Sequence, residues 1–237
     1  MKKRLWIILL LLILAAAGAA ASLTIDEVYI QGNDWYTDEE AEALVFPTPL
    51  SRRTVYAWIA DKTGKKENIP FIEDYEVLID SPHSAEVIVY EKSIVGYVYY
   101  MSSYMFFDKD GIVVESSNTG LDGIPLITGL DFGSIVLYRQ LPVKDERVFG
   151  DILNLTQLLS THQIPIDRIN YSSLREATLY RGDLEVKLGS NEDMSEKIME
   201  LKDMLPKLEG MAGTLYLDSY DKNNTNAAYT FKRKQKL

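Results

Sequence analysis

Ile25-Asp26-Glu27-Val28-Tyr29-Ile30-Gln31-Gly32-Asn33 is the stretch that decides how this chain is read. Apolar and polar residues alternate through it and a Gly-Asn turn closes it, so it predicts an extended strand. Upstream lies an uninterrupted apolar run, Leu5 to Leu23, preceded by the cationic Met1-Lys2-Lys3-Arg4. At ~1.5 Å per residue its about 19 residues just reach across a hydrocarbon core, which predicts a membrane span. Lys and Arg resist translocation, so the cationic flank is expected in the cytoplasm and the rest of the chain outside. Ala15 to Ala21 also contains Ala-x-Ala patterns ahead of Ser22, the look of a cleavable signal peptide, and composition leaves both readings open.

The 237 residues leave room beyond the apolar run for one large domain or two small ones. A net charge of −10 argues against a nucleic-acid binder, which needs a basic surface to neutralise phosphates. With no cysteine, disulfides, thiol nucleophiles and Cys-ligated zinc are excluded. Fifteen tyrosines suit half-buried strands, where the ring packs on one side and meets water on the other.

Outward from the first strand, Thr37-Asp38-Glu39-Glu40 reads as a capping box opening a short helix through Val45. Ser51 is expected to cap a second helix, with Val55, Trp58 and Ile59 on one face and an end near Gly64. Strands follow at Tyr75 to Ile79 and Ala85 to Tyr90. Beyond Lys92 strands dominate, with a hairpin turn at Asp108-Lys109-Asp110-Gly111 and a helix from Asp145 to Thr161 carrying Val148, Ile152, Leu155 and Leu159 at helical spacing. Three more strands precede a helix capped by Ser190 or Asn191, with Met194, Ile198, Leu201 and Leu205 facing one way and Pro206 stopping it. Thr214 to Tyr220 and Ala227 to Phe231 close the chain as a hairpin. The fold class is thus α+β: a single N-terminal transmembrane helix, a small β-α-α-β-β unit, then a mainly β domain with two packed helices.

Catalytic constellations are scarce. His83 falls in a turn and His162 at a helix end, neither beside a nucleophile or an orienting carboxylate. Asp26, Glu27, Asp38, Glu39 and Glu40 form the densest acidic cluster, and acids at a helix start complement its dipole. Asp108-Lys109-Asp110-Gly111 opens like a calcium loop but lacks the closing glutamate. No catalytic, cofactor-binding or metal-ligating residue is expected. An exported cell-wall glycan hydrolase using two of the acids, and a secreted adaptor released by signal cleavage, are the alternatives.

In order along the chain stand Ile25-x-x-Val28-x-Ile30-x-Gly32-Asn33, an acidic capped helix, Ile88-Val89-Tyr90-Glu91-Lys92 leading to Val95-Gly96, Phe107-Asp108-x-Asp110-Gly111-Ile112-Val113 and Ile124-Pro125-Leu126-Ile127-x-Gly129. Val186-Lys187-Leu188-Gly189, a helix bearing Lys197 and Gly213-Thr214-Leu215-Tyr216-Leu217-Asp218 complete the succession. Over essentially its whole length the chain resembles the bacterial cell division family FtsQ/DivIB. The resemblance implies a cytoplasmic tail at 1–4, an uncleaved transmembrane anchor at 5–23, a POTRA domain at 24–91, a β domain at 92–232 and a basic tail at 233–237. It implies a single-pass plasma-membrane protein, outside at its C-terminal domains and concentrated at the division septum. It further implies a non-enzymatic scaffold that binds FtsB/DivIC-like and FtsL-like single-span proteins and helps regulate septal peptidoglycan synthesis by the FtsW and penicillin-binding-protein synthase. In the family a partner segment docks on the terminal strands, and a terminal strand offers unpaired amides and carbonyls to a partner strand. The expected contact residues are Tyr220, Tyr229 and Phe231 as aromatic anchors, Thr230 between them, and Ala227 and Ala228 where small side chains permit close approach.

Overall fold

Thr37 opens the first helical turn as its sequence predicts. Its hydroxyl accepts from the Glu40 amide at 3.3 Å while the Glu40 carboxylate accepts from the Thr37 amide at 3.0 Å, a complete capping box. The computed structural model describes residues 2–220 and 229–234. The chain divides into two units, Met1–Lys92 and Ser93–Leu237.

Unit 1 runs α1 (Lys2–Ser22), β1 (Glu27–Gln31), α2 (Asp38–Val45), α3 (Thr54–Thr63), β2 (Ile72–Ser81) and β3 (Ser84–Glu91). Its sheet has the order β1-β3-β2, with β1 parallel to β3 and β2 antiparallel to it. Alternate strand residues Tyr75, Val77, Ala85, Val87 and Val89 face inward and pack with Ile25, Val45, Phe46 and Ala57. The start of α3 differs from expectation. Ser51 bonds back to Thr48, and the N-cap is Arg53, without a side-chain cap. The Thr54 amide donates to the Leu23 carbonyl and its hydroxyl to the Pro82 carbonyl, which pins the helix so that small Thr54 and Ala57 face the core. Val55, Trp58 and Ile59 therefore point to solvent.

The expected membrane span needs correction. Among the described residues no helix is long and apolar enough to cross a membrane. The strongly apolar stretch, Leu5 to Leu14, covers about 15 Å, half of a ~30 Å hydrocarbon core, and the alanines and glycine after it add length with little transfer free energy. The transmembrane helix in the expected fold class, the membrane anchor at 5–23 and the single-pass plasma-membrane placement at the septum are withdrawn on that finding.

Unit 2 contains β4 (Gly96–Tyr100), β5 (Ser103–Phe107), β6 (Val113–Ser117), β7 (Leu126–Thr128), α4 (Arg147–Thr161), β8 (Arg168–Tyr171), β9 (Ala177–Arg181), β10 (Leu184–Gly189), α5 (Met194–Leu208), β11 (Gly213–Tyr216) and β12 (Thr230–Arg233). All nine strands among the described residues of this unit join one mixed sheet, ordered β12-β11-β10-β9-β8-β7-β4-β5-β6. The pairings of β4 with β7, β7 with β8 and β10 with β11 are parallel. The last two are bridged by α4 and α5, the crossover a parallel pair requires. Val148, Ile152, Leu155 and Leu159 of α4 and Met194, Ile198 and Leu201 of α5 pack with inward strand residues in a single core. Asp108 Oδ1 accepts from the Asp110 and Ile112 amides in the β5–β6 turn, where Gly111 takes φ +73°. The β4–β5 turn, at Met101-Ser102, puts both residues at positive φ without a glycine. At α5, Asp193 is the N-cap in place of Ser190 or Asn191, and Pro206 lies inside the helix, two residues before its end.

Candidate partner-binding edge

Among the described residues β12 is the last strand of the sheet and pairs on one side only. Its register sets Gly213 opposite Arg233 and Leu215 opposite Phe231, and the Lys234 amide donates to the Ala212 carbonyl at 2.9 Å. By antiparallel parity Thr230, Lys232 and Lys234 spend their backbone groups on β11. The amides and carbonyls of Phe231 and Arg233 consequently point away from the sheet.

What holds this edge in place is a close fit at Gly213. A Cβ there would meet the Phe231 ring at 2.6 Å and the Lys232 carbonyl oxygen at 2.4 Å, so only glycine lets the ring lie across β11. Behind it, the Tyr220 and Tyr229 rings stack, centroids 6.5 Å apart and 10° from parallel. Tyr229 and Phe231 are half-buried against the unit 2 core. Burial raises the Tyr229 hydroxyl above its ordinary pKa, with Glu200 and Tyr220 adding to the shift.

On the opposite face of the same strands the charge is carried on aromatic rings. Lys187 and Lys232 both approach the Tyr216 ring, at 5.3 and 4.9 Å, and the Arg168 guanidinium lies 3.9 Å over Tyr180. The Thr214 hydroxyl donates to Glu185 at 3.1 Å. Beside the edge a cleft of about 420 Å³ is lined by Arg168, Tyr180, Glu185, Lys232, Arg233 and Lys234 among others.

Of the residues expected at this site, the structure brings Tyr220, Tyr229 and Phe231 together on the core side and sets Thr230 exposed at the start of β12. Ala227 and Ala228 lie outside the described residues. Lys232, Arg233, Lys187 and Arg168 were not among the expected contacts. For Lys232 the signal was the alternation of Thr230-Phe231-Lys232-Arg233, which sends it to the face opposite Phe231. Three of the five acids considered for catalysis are engaged locally: Glu40 in the capping box, Asp38 with the Asn33 side-chain amide at 3.0 Å and Asp26 with His83 at 3.2 Å.

No protein-family model matches this chain, and no curated protein does either.

Proposed function

We propose that this chain is a non-enzymatic scaffold of the FtsQ/DivIB kind, taking an extended segment of an FtsB/DivIC-like partner along β12 by main-chain pairing. It also binds an FtsL-like protein, and the assembly helps regulate septal peptidoglycan synthesis. The observation that carries the reading is the one-sided pairing of β12, whose Phe231 and Arg233 backbone groups face outward beside an aromatic and cationic surface. A strand added there gains main-chain hydrogen bonds for affinity, and the side chains around it select the sequence.

Arg233→Pro tests it. Its amide faces outward, so proline removes an edge donor without breaking a bond to β11. Titration against the outer domains of the FtsB/DivIC-like and FtsL-like proteins of the same genome is expected to show binding to the wild type, at least a tenfold loss for Arg233→Pro and a smaller loss for Arg233→Ala. Equal affinity of the proline and alanine variants would remove the strand-pairing mechanism, and no binding by a folded wild type would remove the scaffold reading.

A further inference from the structure

Unit 1 has an edge strand of its own, and its own side chains close it. β2 spans ten residues and, among the described residues, pairs with β3 alone. The groups it turns outward at Tyr75 and Val77 are already taken. Val77's amide donates to Asp61 Oδ1 at 3.1 Å, the Tyr75 amide donates to Asp74 Oδ1 at 2.8 Å, and Lys66 Nζ donates to the Tyr75 carbonyl. Lys66 also pairs with Asp61 at 3.4 Å and Asp74 at 3.1 Å, and lies 5.3 Å from the Tyr75 ring centroid. The chain reaches this geometry because Gly64, at φ +67°, ends α3 and turns the backbone, setting Lys66 beside the strand that Asp61 approaches from the last helical turn. The Asp61 and Lys66 side chains are only 6% and 18% exposed, so the pair is withdrawn from competing water.

Of the four edge strands described, β1 and β2 in one sheet and β12 and β6 in the other, β2 and β12 carry opposite charge. β2 reads Ile72-Glu73-Asp74-Tyr75-Glu76-Val77-Leu78-Ile79-Asp80-Ser81, four acids and no base. β12 and the residue after it read Thr230-Phe231-Lys232-Arg233-Lys234, three bases and no acid. A β2 strand laid antiparallel on another β2 about Val77 sets Asp74 against Asp80, which repels, whereas β12 laid on β2 sets bases against acids.

We propose that the Asp61–Lys66 pair is an autoinhibitory clamp that keeps the chain from joining end to end with itself, by closing β2 to the basic β12 edge of a second copy. Such a contact is heterologous, each copy offering one edge and receiving on the other, so it propagates into open chains rather than closing as a dimer. The clamp requires only that β2 and β12 lie at sheet edges, whether or not β12 takes a different partner.

Sedimentation velocity of the full chain, wild type against Asp61→Ala/Lys66→Ala, reads the clamp directly. Opened, the double variant is expected to raise its mean mass on the order of twofold or more with concentration where the wild type does not, and to lose that association as salt rises. Adding Ile79→Pro, which removes an outward amide of β2, or Arg233→Pro, which removes one of β12, is expected to restore wild-type sedimentation. A folded double variant that sediments as the wild type does, or an association indifferent to both prolines, would overturn the proposal. If the double variant fails to fold, Asp61→Ser/Lys66→Ser, which also releases the Val77 amide and the Tyr75 carbonyl, goes through the same comparison with the same deciding outcomes.

Discussion

Lys197 sits on the buried stripe of α5 and is 4% exposed. Its ammonium donates to the Leu188 carbonyl at 2.9 Å and the Ser190 carbonyl at 3.0 Å, tying the helix to the end of β10. Burial lowers its pKa from the ordinary 10.5, against the pull of Asp193, Glu192 and Asp218. A lysine whose folded pKa is depressed holds fewer protons folded than unfolded, so stability rises as pH climbs through the folded value toward 10.5. Lys197→Met fills the same volume but leaves two carbonyls without a donor, at a cost of about 1–3 kcal/mol at pH 7. Urea unfolding at pH 7 and pH 9.5 is expected to show that cost, and to show the variant lacking the wild type's alkaline gain. Lys197 stood out in the sequence only as a helical lysine within the family pattern; that it is buried was not legible, because it stands beside Ile198 on an amphipathic stripe and only the carbonyls at the end of β10 explain a charge there.

At the scale of elements, what was legible was periodicity and local capping. The Thr37 capping box is written in four consecutive residues, and the stripe Val148, Ile152, Leu155, Leu159 is a one-faced pattern of period 3.6 that packing then used. The rotation of α3 was not legible, because both faces of Thr54-Val55-Tyr56-Ala57-Trp58-Ile59 are apolar enough to be buried. Backbone and hydroxyl bonds from Thr54 to segments distant in sequence made the choice. Trp58→Ser is therefore expected to change stability by no more than about 0.5 kcal/mol, while Ala57→Leu, inserted between helix and sheet, costs about 1–3 kcal/mol. Thermal unfolding of both variants checks the pair; a larger loss from Trp58→Ser than from Ala57→Leu would restore the orientation that hydrophobicity alone suggests. At the terminal edge the two aromatics Tyr229 and Phe231 were visible as apolar alternates, but their packing onto Gly213 and Tyr220 depends on a register that local sequence does not specify.

For the molecule as a whole, the order of strands was the least legible property. Alternation identifies strands one at a time, whereas joining nine of them depends on which distant segments meet. The decisive join is at β7, three residues long, where Tyr97 of β4 aligns with Leu126 and Ile127 aligns with Ile169 of β8. Everything on one side of it, β4 to β6, is joined by short antiparallel turns, and so are β8, β9 and β10 on the other. Hairpins close in microseconds, but a parallel strand whose neighbours lie tens of residues away must wait for the intervening chain to be ordered. The narrow strand is thus expected to act as a clock for folding, two sheet fragments assembling early and the seam between them zipping last. Ile127, 1% exposed at that seam, reports it. Ile127→Val is expected to speed unfolding several-fold while leaving the refolding rate nearly unchanged, and a refolding rate that fell by the full loss of stability would place the seam in the nucleus instead.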